Sequence, residues 1–97
     1  MATYNTLMNF TDQGIRNVKE TTKRAETFKD AAKKTGVTAR DMYWTLRQYD
    51  IIATVEGPDD LSVTALGLSL GALGNIHTQT LRAFGPAEMK QILDKMV

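Results

Sequence analysis

From Thr3 to Phe10 the chain alternates: Tyr4, Thr6, Met8 and Phe10 share one side, and Thr3, Asn5, Leu7 and Asn9 the other. A period of two predicts a strand. Thr11-Asp12 then supplies a side-chain cap and an early acid, the usual start of a helix. Its helical spacing runs in two parts, Ile15 and Val18, then Ala25, Phe28, Ala31 and Ala32, with Thr21-Thr22 interrupting. Gly36 is placed to end it in the left-handed conformation that glycine tolerates.

Ala39 to Leu46 alternates again, with Met42, Trp44 and Leu46 on one face and Asp41, Tyr43 and Thr45 on the other. Tyr49 to Glu56 is β-branched and apolar enough for a central strand. Arg47 and Gln48 separate the two runs, which predicts a hairpin. Neither residue favours the positive φ of a type I′ turn, so a connection wider than two residues is expected. Gly57-Pro58-Asp59-Asp60 stops the strand and starts a second helix. Its apolar positions are Leu61, Ala65 and Leu68, with Leu66, Leu70 and Leu73 alongside. Gly67, Gly71 and Gly74 form a stripe without side chains, and close approach of another backbone is the simplest reason for it. Asn75 to Phe84 reads as a fourth strand. Gly85-Pro86 opens a terminal helix with Met89, Ile92, Leu93 and Met96 as its apolar stripe.

The order β-α-β-β-α-β plus a C-terminal helix predicts an α+β, ferredoxin-like fold: a four-stranded antiparallel sheet with both helices on one face. The other face would expose a broad, partly apolar surface that includes aromatic side chains. A second copy covers such a face economically, so a homodimer or higher oligomer is expected, with Tyr4, Trp44 and Tyr49 as interface candidates.

Composition narrows the chemistry. Ninety-seven residues make a single domain over 1–97, with 12 basic and 11 acidic side chains and a net charge of +1. No global field recruits nucleic acid or an anionic membrane, and neither is expected as a partner. Cysteine is absent, which removes disulfides, thiolate catalysis and thiolate-bound metals. The N-terminus lacks the basic and apolar regions of a signal peptide, so a cytoplasmic location is expected. From Leu61 to Leu81 there is no formal charge, but Ser, Thr, Asn, Gln, His and three glycines argue for a buried helix and a strand rather than a membrane span. No phosphate loop, nucleotide fingerprint or zinc spacing occurs, and no cofactor is expected.

Several segments carry a resemblance: Thr11-Asp12-Gln13-Gly14-Ile15-Arg16-Asn17-Val18-Lys19, Lys23-Arg24, Tyr49-Asp50-Ile51-Ile52, Leu73-Gly74-Asn75-Ile76, and Thr80-Leu81-Arg82-Ala83-Phe84. From about residue 4 to residue 93 the chain resembles the GYD-domain family. The resemblance implies a small bacterial protein of the dimeric α+β barrel type and almost nothing about reaction chemistry. The family usually has glycine in the turn before Tyr-Asp, where this chain has Arg47-Gln48. A looser similarity to the effector-binding domain of Lrp/AsnC transcription factors implies oligomerisation and small-molecule binding, without the DNA-binding helix-turn-helix.

The polar candidates are few. His77 is the only histidine, with no second ligand at metal spacing nearby. Alternation sets it opposite Thr78, Thr80 and Arg82. Tyr49 and Asp50 also fall on opposite faces. With Tyr49 on the open face, Asp50 points toward the helices and needs a partner such as Lys19, Arg24 or Arg82. The mixed charges of the first helix, Lys19 to Lys34, read as a solvated face. Trp44 reads as interface or core, since the basic flanks of an aromatic RNA-binding sheet are missing. Three functions follow. One is a homo-oligomeric module binding a small molecule at the subunit interface or the helix–sheet cleft, through Thr45, Asp50, Thr80 and Arg82. A second is a structural self-assembly unit. The third is a cofactor-free monooxygenase- or isomerase-like enzyme using His77, Asp50 and Tyr49.

Overall fold

The computed structural model describes all 97 residues, Met1–Val97. Strand β1 is Ala2–Phe10, β2 Thr38–Trp44, β3 Ile51–Gly57 and β4 Ile76–Ala83. Helix α1 is Asp12–Arg16, α2 Thr21–Lys34, α3 Asp60–Ala72 and α4 Pro86–Asp94, with a 3-10 turn at Val18–Glu20 between α1 and α2. The sheet order is β2-β3-β1-β4 and every neighbouring pair is antiparallel. This is the expected ferredoxin-like arrangement, with β1 and β3 central.

The element boundaries have visible chemical causes. Thr11 caps α1, its hydroxyl accepting from the Gly14 N–H at 3.0 Å. Asp59 caps α3 by accepting from the Ser62 N–H at 2.7 Å. Helix α2 ends where Gly36 turns left-handed at φ 77°. There the Gly36 and Val37 N–H groups donate back to Lys33 and Ala32 carbonyls, at 3.1 and 2.8 Å. The loop therefore leaves the helix with its last carbonyls satisfied and Val37 delivered into the core.

The core lies between sheet and helices. Tyr4 and Met8 of β1, Phe28 and Ala32 of α2, Ile51, Ala53 and Val55 of β3, and Val63, Leu66 and Leu70 of α3 enclose it with Val37. One extra residue in β2 sets what that strand contributes. The register shifts between Ala39 and Asp41, so Ala39 opposes Val55 and Met42 opposes Ala53. A bulge at Arg40 thus lets both Ala39 and Met42 pack on the core, although they are three apart.

Three sequence expectations change here. Helix α3 buries Val63, Leu66 and Leu70, whereas Leu61 and Leu68 are 82% and 71% exposed. Leucine lies on two opposite sides of α3, Leu61 and Leu68 against Leu66 and Leu70, so periodicity gave no preferred face; Val63, which falls in the 63/66/70 spacing, was the informative position. The glycine stripe is not a backbone contact either. No atom comes within 4 Å of a Cβ placed at Gly71, and at Gly67 only the Thr78 hydroxyl does. The uncovered sheet face is less aromatic than expected. Tyr4 is 4% exposed beneath the helices, and Phe10 packs against the same core. Trp44, paired with Ile51, reaches α2 with its Nε1–H donating to the Thr21 hydroxyl at 3.0 Å. Tyr43 is the aromatic side chain that β2 leaves on the open face, beside Ile52. No helix is long and apolar enough to cross a membrane.

Replacing Gly71 by Ala should raise stability by about 0.5–1 kcal/mol, because the site is open and lies inside a helix. Urea unfolding of the variant against the parent checks this.

The caps and surface ion pairs also predict a response to acid. Ser62 holds the Asp59 carboxyl below its usual range, Arg82 does the same for Glu88, and Arg40 for Glu56. A depressed folded-state value means stability present above the ordinary carboxylate range and lost as pH falls through it. The thermal midpoint should therefore drop below about pH 4. Asp59→Asn, which keeps a capping oxygen, should flatten part of that drop, whereas Asp59→Ala should lower the midpoint already at neutral pH.

Candidate functional site

The end of β1 is where the segments behind the family resemblance meet. At Thr11 the N–H donates to the Asn75 carbonyl at 3.0 Å and the hydroxyl donates to the Gly74 carbonyl at 2.6 Å. Gln13 extends the contact, its amide donating to the Leu73 carbonyl and to Asn75 Oδ1 at 3.2 and 3.0 Å. Gly74 turns at φ 82° to bring α3 into this corner. Gly14 is buried there, and a Cβ on it would stand 1.9 Å from the Asn75 carbonyl oxygen. The close backbone approach foreseen for the α3 glycines thus occurs at Gly14. A lone glycine after a helix cap was its only sequence signal.

The Tyr49-Asp50 segment binds β1 from the other side. Asp50 N–H donates to the Met8 carbonyl at 2.9 Å, and Asp50 Oδ2 accepts from the Phe10 N–H at 2.8 Å. The expected cationic partner of Asp50 is replaced by a backbone amide. Both residues lie in the connection Thr45–Asp50, outside the regular strand, which begins at Ile51. Thr45 closes that loop: its N–H donates to the Asp50 carbonyl at 2.8 Å and its hydroxyl to the Tyr49 carbonyl at 2.5 Å. Asn9 adds a hydrogen bond to the Gln48 carbonyl at 2.7 Å. At the tip Arg47 adopts φ 75°, a conformation costing a non-glycine residue about 1–2 kcal/mol. The wide loop foreseen from Arg47-Gln48 is present, and its strain falls on Arg47.

The four ligand candidates do not converge. Thr45 and Asp50 stand beside Met8 and Phe10, whereas Arg82 pairs with Tyr4 and Thr80 with Thr6. Tyr4 and Phe10 are six strand residues apart, about 20 Å. Arg82 is engaged at its own end of the sheet, 3.0 Å from Glu88 Oε2 and over the rings of Phe84 and Tyr4. There the Tyr4 hydroxyl donates to Asp60 Oδ1, and this hydrogen bond, with burial, raises the phenol above its ordinary range. The enzyme candidates are scattered as well. His77 is exposed opposite Asn9, while Tyr49 and Asp50 are committed to the loop through its backbone. No cluster of His, Asp or Glu side chains is arranged to hold a metal ion.

What the end of β1 does enclose is a cavity of about 60 Å³ between sheet and helices. Met8, Phe10, Met42 and Ile51 line it from the sheet, Ala25 and Phe28 from α2, and Leu70 and Leu73 from α3. Ile76 at the start of β4 and the polar residues Thr21, Arg24, Thr27 and Asn75 complete the wall. Of the polar members of this wall the sequence singled out Arg24 alone, as a partner for Asp50; the charged residues of α2 otherwise read as a solvated face. The one available signal was the four-residue spacing of Arg24 to Phe28, which puts the cation beside a core residue. A second, shallow groove runs between α3 and β4, floored by Gly67, Gly71, Thr78 and Thr80.

Gly14→Ala should cost about 1–3 kcal/mol through the clash with Asn75. At the loop, Asp50→Ala should cost about 1–3 kcal/mol by leaving the Phe10 amide without its acceptor, and Asp50→Asn much less. Arg47→Gly should be neutral or stabilising by up to about 1 kcal/mol. Chemical denaturation of the four variants gives the order.

The sequence model of the GYD domain matches residues 4–93 of the chain. No curated protein matches it.

Proposed function

The chain belongs to the GYD-domain family, and on that premise we propose that it is a homo-oligomeric module that binds a small apolar molecule in the helix–sheet cavity. The cavity carries the reading. Its wall combines residues from all four strands and two helices, and residues of the Leu73–Ile76 and Tyr49–Ile52 segments take part in it. Protein interiors are close-packed, so an apolar space of this size beside the core offers room for a small apolar ligand. His77, Asp50 and Tyr49 are not among the lining residues, which favours binding over acid–base catalysis.

Self-association rests on apolar surface left without a partner. Only 14 of 97 residues are buried, few for a chain that has one core to build. Helix α4 buries none of its residues, although Met89, Ile92 and Leu93 lie along it, with Met96 exposed just beyond its end. The open sheet face adds Tyr43 and Leu81, which are 64% and 45% exposed. The same surfaces support the second reading, a structural self-assembly unit, in which α4 is the joining element.

Native mass spectrometry of the full chain should give a dimer or larger species that retains added mass. Ala25→Leu, which fills the cavity, should keep the subunit number and lose the added mass. A monomer removes the oligomer, and undiminished retention in Ala25→Leu removes the cavity.

A further inference from the structure

Resting on the cavity reading, we infer that the molecule bound there is a small carboxylate, its apolar end in the cavity and its anionic head on Arg24. The first observation is size. One water needs about 10–15 Å³ of such space, so a cavity of about 60 Å³ takes about four or five non-hydrogen atoms. That suits a short aliphatic tail better than a long acyl chain or a nucleotide base. The second observation is the character of the wall, in which Met8, Phe10, Phe28 and Leu70 offer a tail dispersion contacts and no hydrogen bonds.

The third is the one cation in that wall. Arg24 is half-buried and takes part in none of the three ion pairs. Its guanidinium donates to the Asn17 carbonyl at 2.5 Å, an exposed contact. The side chain therefore runs along the cavity wall and ends with its charge at the solvent side. Arginine presents five N–H donors, and this hydrogen bond uses one. The remainder form a planar fork suited to a carboxylate, beside an apolar wall that takes the tail. Asn17 fixes the fork in advance, which reduces the entropy lost on binding. A neutral ligand would leave these donors unused, and an amine would meet a like charge.

The test uses pentanoate, 1-pentanol and pentylamine as probes, titrated into the full chain at pH 7 while the methyl NMR signals of Met8, Met42 and Leu70 are followed. Pentanoate should bind at least tenfold more tightly than pentanol, and pentylamine most weakly. Arg24→Met should bring pentanoate down to the level of pentanol while pentanol binding stays unchanged, which also reports an intact cavity. Arg24→Gln provides the same comparison should the methionine variant fail to fold. Equal binding of acid and alcohol, or pentanoate binding indifferent to Arg24, overturns the carboxylate and leaves the cavity standing. Failure of all three probes to move the methyl signals overturns the cavity reading itself, and this inference with it.

Discussion

Everything near the candidate site depends on how the last residues of β1, Met8 to Thr11, are held. They are the hub of a hydrogen-bonded corner. Thr11 is bonded to the α3–β4 turn at Gly74 and Asn75, while Met8 and Phe10 are bonded through their backbones to Asp50. The corner brings together chain segments about 40 and 60 residues away in sequence. It can close because Gly14 has no side chain where Asn75 passes. The cavity lies beside the same residues, with Met8, Phe10 and Asn75 in its wall.

This gives a physical meaning to the segments that identify the family. Thr11–Gly14, Tyr49-Asp50 and Leu73–Ile76 look in sequence like scattered polar signatures of a reaction centre. In three dimensions their polar atoms satisfy one another and nearby backbone groups. The unusual chemistry of Asp50 is spent on an orphan amide at the end of a strand, where the ladder between β1 and β3 gives way to a loop. The Arg47 tip shows why glycine suits that loop: the hydrogen bonds of Thr45 and Asn9 close it tightly enough to force one residue left-handed. The proposed binding function rests instead on the apolar space beside this corner.

The other end of the sheet is organised differently. Tyr4, Asp60, Arg82 and Glu88 form a chain of polar contacts that ties β1 and β4 to the first turns of α3 and α4. Beyond it α4 extends without packing on its own sheet, its apolar stripe in solvent. One end of the domain is thus closed on itself, and the other leaves apolar surface uncovered.

The order of elements was legible in the sequence because it depends on local causes. Alternation marked β1 and β2, the caps at Thr11 and Asp59 marked helix starts, and Gly36 marked a helix end. The partition of β1 into Tyr4, Thr6, Met8 and Phe10 was legible too, since strand parity is fixed by geometry. Which side the helices would cover was not, and Tyr4 and Trp44 were therefore assigned to an interface when both face the helices. Nor could the pattern orient α3, where leucine occupies two opposite sides. Tertiary structure alone decided that Gly14 would be the point of close backbone contact. It alone turned Asp50 to an amide and separated it from Arg82 by most of the length of a strand. The reason is common to all of these. Local propensity reads neighbours a few residues apart, whereas the partners of Gly14, Asp50 and the cavity wall are set by sheet register and helix docking, which join residues dozens of positions away.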